Sequence, residues 1–141
     1  MERDGAMNEI KLDFDEIDAE TLLKILEKRK FVWFFFQLRC KGVIVMKTKR
    51  GWHVYIKLKD HYDDLDIAFI QIALGDDFKR ACFNWSRARS KTPNWNVLFT
   101  SNEKYSPIVT KRVKKMVMEW SKAVEEMLER QKERGIEGGF K

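Results

Sequence analysis

The sequence predicts an α+β fold in which an antiparallel or mixed sheet carries its helices mainly on one face. Short alternating or continuous apolar segments recur in the first half of the chain, segments with helical spacing lie between them, and a long amphipathic segment comes last. Such a sheet leaves its other face open to a ligand. With 141 residues the chain is long enough for a single domain with one apolar core.

The first third of the chain predicts one helix and two strands. Apolar residues alternate over Glu9–Phe14, which is typical of a short strand. Asp18 is a suitable N-cap for a helix over residues 19–30. The aromatic run Phe31–Leu38 predicts a strand buried on both faces, and we expect Arg39–Gly42 to form a hairpin turn after it.

Three further strands are predicted. Val43–Lys47 and Trp52–Leu58 are joined by a turn at Thr48–Gly51, and the second of them alternates between apolar and polar residues. The polar segment Asp60–Asp64 predicts a loop, and Asn96–Thr100 predicts the last strand.

The remaining segments predict helices. Asp64 can cap a helix over Asp66–Leu74, which Gly75 would end. Phe78–Arg89 is basic and amphipathic. Ser106 followed by Pro107 is a strong helix start, and apolar residues at helical spacing predict a helix to about Arg134. We therefore expect a loose N-terminus over residues 1–9, one domain over 10–134 and a frayed tail over 135–141.

Composition favours an anionic partner. The chain has 28 Lys and Arg against 22 Asp and Glu, a formal net charge of +6. No stretch is long and apolar enough for a transmembrane helix, and no secretory signal is evident, so we expect a cytoplasmic protein without membrane contact. Cys40 and Cys82 form neither a disulfide framework nor a zinc site. Abundant Lys and Glu with little Asn or Gln point to a thermophilic source.

The first candidate site is Asp13-Phe14-Asp15. Alternation along a strand places Asp13 and Asp15 on one face, where two carboxylates can share Mg²⁺ or Mn²⁺. The alternative interpretation is a solvated strand end followed by helix-capping acids.

The second candidate site is the turn and strand start Thr48–His53, with Tyr55 and Lys57 on the same strand face as His53. A glycine turn lets a phosphate approach backbone N–H groups, and His53 can contact a phosphate or move a proton. The predicted binding residues are Thr48, Lys49, Arg50, Tyr55 and Lys57. The alternative is an exposed hairpin with a histidine on its edge.

The third candidate site is Gly75–Arg89, in which cations alternate with aromatic rings. Charges that hold phosphates and rings that stack on bases suit single-stranded nucleic acid. The predicted binding cations are Arg80, Arg87 and Arg89. An amphipathic helix with its rings in the core is the alternative. No Walker A, G-x-G-x-x-G or G-x-S-x-G motif occurs, and the two histidines do not form a His-x-His pair.

Taken together, these segments resemble the motifs of the archaeo-eukaryotic primase superfamily. Leu12-Asp13-Phe14-Asp15 matches the family's acidic pair on a strand. Thr48-Lys49-Arg50-Gly51-Trp52-His53 resembles its S-x-x-G-x-H motif, with Thr48 where Ser is usual. Residues 76–87 resemble the third motif, although Asn84 stands where an acid is expected, and Asp77 could replace that acid only with a shifted backbone.

The resemblance implies an RRM-like core and a primase-like nucleotidyltransferase in DNA replication, of archaeal or viral source. It implies catalytic roles for Asp13, Asp15 and His53, and Mg²⁺ or Mn²⁺ held by Asp13, Asp15 and Asp77. The implied partners are single-stranded DNA or RNA and nucleoside triphosphates.

Two alternatives remain open. The protein could be a non-catalytic relative that binds nucleic acid in plasmid or viral replication. It could also be an interaction protein that dimerises through Met116, Val117, Trp120 and Leu128 of its long helix, although that stripe can equally pack on the chain's own sheet. The sequence is compatible with a monomer or a homodimer.

Overall fold

The computed structural model describes residues 6–98 and 102–135. Their elements in chain order are β1 (Ala6–Asp15), α1 (Ala19–Lys28), α2 (Lys30–Phe35), β2 (Cys40–Lys47), β3 (Gly51–Asp63), α3 (Asp64–Ala73), α4 (Phe78–Arg89), β4 (Lys104–Tyr105) and α5 (Pro107–Glu133). The strands form one antiparallel sheet in the order β1-β3-β2-β4. This confirms the predicted α+β class and the long C-terminal helix. No helix in these ranges is long and apolar enough to cross a membrane.

The two faces of the sheet differ in chemistry because of strand alternation. On one face, Val54 of β3 lies between Leu12 of β1 and Val45 of β2, and all three side chains are fully buried. Buried residues of α1, α2, α3 and α5 join this face in one apolar core. On the other face, Asp13 lies opposite His53. The polar face therefore carries the candidate site.

Side chains of α3 and the following turn cover the outer edge of β1. The Lys11 N–H donates to Oε1 of Gln71 over 2.8 Å, and the Asp13 N–H donates to Oδ1 of Asp76 over 2.8 Å. These bonds satisfy backbone groups that would otherwise invite pairing with another strand. They also fix Asp13 relative to the start of α4.

Helix α5 covers the outer edge of β2 in a similar way. The Val45 N–H donates to Oγ1 of Thr110 over 2.9 Å, and the Cys40 N–H donates to Oγ of Ser121 over 2.8 Å. Between these contacts, the apolar residues of α5 enter the core. The packing therefore explains why a helix of 27 residues carries small polar residues among its buried positions.

The alternative interpretation of the α5 stripe as a dimer seam is wrong for its central residues. Val117 is 1% exposed and Trp120 is 6% exposed, both within the chain's own core. The Trp120 ring lies 5.8 Å from that of Trp33 in an edge-to-face arrangement. These two side chains pack within their own chain, as the other interpretation of the stripe expects, and Met116 and Leu128 are partly buried against the same core.

The predicted strand at Phe31–Leu38 is wrong, because α2 occupies Lys30–Phe35. A continuous apolar run has no period, so it cannot distinguish a strand from a short helix. The helix buries Val32 and Trp33 and leaves Phe31 and Phe35 exposed. The run is therefore not buried on both sides. The predicted turn at Arg39–Gly42 is also wrong, since β2 begins at Cys40.

Two other boundaries differ for one shared reason. Ala6 pairs with Asp63 and Met7 with Tyr62, beyond an irregularity in the β1–β3 register. Residues 6–9, predicted to be loose, and Asp60–Asp63, predicted to be a loop, therefore extend two strands by pairing with each other. Because β3 runs to Asp63, that residue caps α3 in place of Asp64.

The predicted strand at Asn96–Thr100 is wrong for residues 96–98, which have no regular structure, and its last two residues lie outside the described ranges. The four predicted helices are confirmed, apart from small differences at their ends, as α1, α3, α4 and α5. Asp18 accepts from the Thr21 N–H at the start of α1, and Ser106 caps α5 with Pro107 in the first turn. The turn before β3 is confirmed by the Thr48 N–H, which donates to the Gly51 carbonyl over 2.9 Å.

Candidate functional site

Asp13 and His53 form the centre of the polar face, because β1 and β3 pair them directly. Oδ1 of Asp13 lies 3.4 Å from Nε2 of His53. That distance is long for a hydrogen bond, and within residues 6–98 and 102–135 Oδ1 is shielded from solvent and makes no hydrogen bond. A buried carboxylate oxygen without a hydrogen bond is costly unless a charge or a ligand engages it. The strand pairing thus places beside His53 an acceptor whose nearest charged contact is the imidazole.

Glu103, immediately before β4, completes the surroundings of His53. Its Oε2 lies 2.6 Å from Nδ1 of His53, and it also accepts a hydrogen bond from the Tyr55 hydroxyl. An ionised carboxylate only accepts, so the hydrogen lies on Nδ1, and Nε2 is the nitrogen that faces Asp13. Glu103 is not among the residues predicted from the sequence, since its contact with His53 spans about 50 residues and belongs to no motif.

Opposing effects act on the pKa values of this cluster. Burial lowers the pKa of His53, but its contacts with Asp13 and Glu103 outweigh burial, so the pKa is raised. Burial, reinforced by the bond to Glu103, raises the pKa of Tyr55. Protonated His53 is therefore stabilised between two acidic residues, and Tyr55 stays a hydrogen-bond donor.

Asp76 and Arg80 brace the site from the side of β1. Asp76 is buried, and its Oδ1 accepts from the N–H groups of Asp13 and Asp77 over 2.8 and 2.9 Å. Arg80 donates to Oδ2 of Asp76 over 2.5 Å. Burial raises the pKa of Asp76 to about 6, although Arg80 and the N–H donors oppose that shift. The carboxylate thus ties β1 to the first turn of α4.

Most donors of Arg80 are already engaged. Besides Asp76, its guanidinium bonds the Lys11 and Val97 carbonyls and the Oδ1 of Asn96, at 2.9 to 3.0 Å. Four of its five N–H groups therefore have protein acceptors. Arg80 therefore holds the segments around it together. Its contact with phosphate stays a prediction, for which one N–H group remains available.

A small pocket of about 180 Å³ opens on the polar face. Its lining comprises Asp13, His53, Arg80, Phe83, Arg87, Val97 and Leu98. Phe83 is 63% exposed, and the Arg87 guanidinium lies 5.7 Å from the centre of its ring. An exposed ring beside a cation can stack on a base and contact its phosphate. The pocket thus combines residues of all three candidate sites, namely Asp13 of the first, His53 of the second, and Arg80, Phe83 and Arg87 of the third.

The acidic pair lies close to a third carboxylate. Burial and then the negative charges of Asp13 and Asp77 raise the pKa of Asp15, while Arg50 opposes them. Asp77 caps α4 by accepting from the Arg80 N–H over 3.1 Å. Within residues 6–98 and 102–135, no three His, Cys, Asp or Glu side chains are arranged to hold a metal ion.

Two carboxylates nevertheless fit a hard divalent cation. Mg²⁺ commonly binds one or two carboxylates and completes its shell with water and substrate phosphates. The unpaired Oδ1 of Asp13 and the nearby Asp15 supply such a donor set. The role of Asp77 as a third ligand stays a prediction.

The turn before β3 has a structural reason for its glycine. A Cβ at Gly51 would lie 1.9 Å from the Phe14 carbonyl oxygen, so the close approach of β1 requires glycine there. Oγ1 of Thr48 accepts from the Gly51 N–H over 2.8 Å, which holds the turn. Lys49 and Arg50 are exposed beside it. Their predicted contact with phosphate stays a prediction.

The other predicted residues occupy different positions. Lys57 is exposed on the polar face, two residues beyond Tyr55, and Arg89 is exposed in the last turn of α4. Asn84, in the place of the expected third acid, is 1% exposed and does not line the pocket. Its Oδ1 accepts from Arg87 over 3.1 Å, and its Nδ2 makes no hydrogen bond to the residues that the structure describes. Asn84 therefore orients Arg87.

No protein-family model matches this sequence, and no curated protein or solved structure is significantly similar to it. The resemblance to the primase superfamily therefore depends on the short motifs quoted above.

Proposed function

We propose that the polar face binds single-stranded nucleic acid and nucleoside triphosphates, and that it is a primase-like nucleotidyltransferase site in replication. The observation that supports this most is the buried Oδ1 of Asp13, which makes no hydrogen bond within the described residues and lies beside His53 in a pocket rimmed by Phe83 and Arg87. A buried acceptor without a partner is a ready ligand for a cation, and the rim suits a base and its phosphate.

Four residues of the pocket, together with Asp15, have roles in this proposal. Asp13 and Asp15 would hold Mg²⁺ or Mn²⁺, which supplies charge neutralisation at the phosphates of the bound nucleotide. His53, with its Nδ1–H fixed by Glu103, presents Nε2 towards Asp13, and its positive charge when protonated would attract a bound phosphate. Phe83 stacks on a base, and Arg87 neutralises phosphate charge.

Incorporation of labelled nucleotide on single-stranded templates with Mg²⁺ or Mn²⁺ tests this proposal. We expect Asp13→Asn to lower the incorporation rate at least a hundredfold, because the charged acceptor is removed while the side chain keeps its shape. Asp60→Asn is the matched control, since Asp60 is bonded to Arg39 outside the pocket. Incorporation by wild-type protein that survives in Asp13→Asn contradicts the assignment of the metal site.

A second candidate function is binding of nucleic acid without catalysis. Asn84 in place of an acid favours it, as does the lack of a three-carboxylate cluster in the described part of the chain. This alternative predicts salt-sensitive binding of single strands, no incorporation, and the same affinity with or without a chelator. Binding that requires a divalent cation would argue against it.

A further inference from the structure

The first half of α5 carries a basic surface that the candidate site does not use. Residues 107–118 contain no acid but four exposed bases, namely Lys111, Arg112, Lys114 and Lys115. Arg112 pairs with Glu20 over 2.7 Å. The other three, named here the α5 basic segment, have no ion pair within the described ranges.

Like charges lie close together in the α5 basic segment. Lys111 is three and four residues from Lys114 and Lys115, the spacings at which like charges on a helix repel. A bound polyanion would relieve this repulsion.

The α5 basic segment is close in the chain to the candidate site. Glu103 contacts His53, β4 follows it with exposed Lys104 and Tyr105, and α5 begins two residues later. Along α5, Lys111, Lys115 and Lys122 share one face at helical spacing. Lys111 and Lys122 are roughly 16 Å apart at 1.5 Å rise per residue. Lys111 and Lys115 thus begin a line of cations that suits phosphates, and the exposed Glu119 separates them from Lys122.

Helix α5 packs on the apolar face of the sheet, whereas the pocket opens on the polar face. We propose that the α5 basic segment, with Lys104, holds the backbone of a polynucleotide that passes around the β4 edge of the sheet, and that the end of this polynucleotide occupies the pocket beside Asp13 and His53. This inference rests on the proposed function and names its substrate class as a strand of several nucleotides, in addition to any single nucleotide in the pocket. A membrane surface fits less well, because only Ile108 and Met118 are large exposed apolar residues on α5.

The test compares a charge-reversal variant with a matched control. Lys111→Glu/Lys114→Glu reverses two charges of the α5 basic segment. The control, Lys28→Glu/Lys132→Glu, makes the same change in net charge at exposed lysines near the C-terminal ends of α1 and α5. Fluorescence anisotropy would measure the binding of labelled oligothymidylates of 5 and 20 nucleotides over a salt series. Circular dichroism would confirm that both variants are folded.

We expect Lys111→Glu/Lys114→Glu to bind the 20-mer about tenfold more weakly, with a salt slope shallower by about 0.7 for each phosphate that the variant no longer neutralises. Binding of the 5-mer should change little, and the control should resemble the wild type. An unchanged 20-mer affinity overturns the inference. Binding to phosphatidylserine vesicles is measured in parallel. If the variant loses vesicle binding but keeps 20-mer binding, the segment contacts a membrane surface and the inference is overturned as well. If the wild type binds neither oligonucleotide, the proposed function itself fails, which is a distinct outcome.

Discussion

Asp76 fixes the geometry of the candidate site although it does not line the pocket. Its buried carboxylate accepts from the Asp13 and Asp77 backbone and pairs with Arg80. Arg80 in turn bonds the segment after α4 through Asn96 and Val97. The Asp76 carboxylate therefore joins β1, α4 and the wall of the pocket. Asp15 provides a comparison, because it is exposed and has no comparable network within the described residues.

We predict that Asp76→Ala lowers the free energy of unfolding by about 3–5 kcal/mol, because it leaves the Arg80 charge buried without its partner. Asp15→Asn should change the free energy of unfolding by no more than about 0.5 kcal/mol, as is usual for exposed positions. Urea denaturation measures both. Equal effects of the two substitutions would show that Asp76 does not brace the site.

At the scale of elements, helices protect both edges of the three long strands. Side chains from α3 and the following turn bond the backbone of β1, and side chains from α5 bond that of β2. The two-residue strand β4 adds pairing only at Met46 and Lys47. Helical side chains therefore limit the sheet's growth and leave the polar face for the pocket.

Thr110→Val tests this edge protection. It removes the acceptor of the Val45 N–H while keeping the side-chain shape, so the buried N–H is left without a partner. We predict that the free energy of unfolding falls by about 1–3 kcal/mol, and that Thr110→Ser, which keeps the hydroxyl, has a smaller effect. Hydrogen exchange at the Val45 amide should accelerate in the valine variant. Unchanged exchange there would contradict the role of Thr110.

The elements that the sequence predicts correctly are those with a clear period or cap. Helix α5 has both, and the central part of β3 alternates over Trp52–Leu58. The Phe31–Leu38 run has neither, so its tertiary packing decides that it becomes a helix. The far ends of β1 and β3 depend on pairing with each other, which no local pattern reveals.

The candidate site was predictable only in part, for the same reason. Strand alternation places Asp13 on the polar face, and antiparallel pairing brings His53 to its side. Glu103 enters through a contact distant in sequence, and no residue pattern near it indicates a partner. The engaged donors of Arg80 likewise result from the fold. A basic residue in a motif therefore does not by itself identify a phosphate ligand.

At the scale of the whole molecule, the sheet separates stability from the proposed chemistry. One face contributes to the single apolar core, and the other carries Asp13, His53 and the pocket rim. The net charge of +6 favours encounter with a polyanion. The α5 basic segment follows β4 in the chain and adds positive charge outside the pocket lining. A bound strand is thus expected to contact the protein at two separate places.

The most direct measurement of the central claim is amide chemical-shift mapping by NMR, with a 20-nucleotide single strand added in the presence of Mg²⁺. We predict that the largest shifts fall at Asp13, His53, Phe83 and Arg87, that weaker shifts extend to the α5 basic segment, and that Asp13→Asn removes the Mg²⁺-dependent part. No shifts in the pocket, or shifts confined to a surface away from it, would contradict the claim that this face binds nucleic acid.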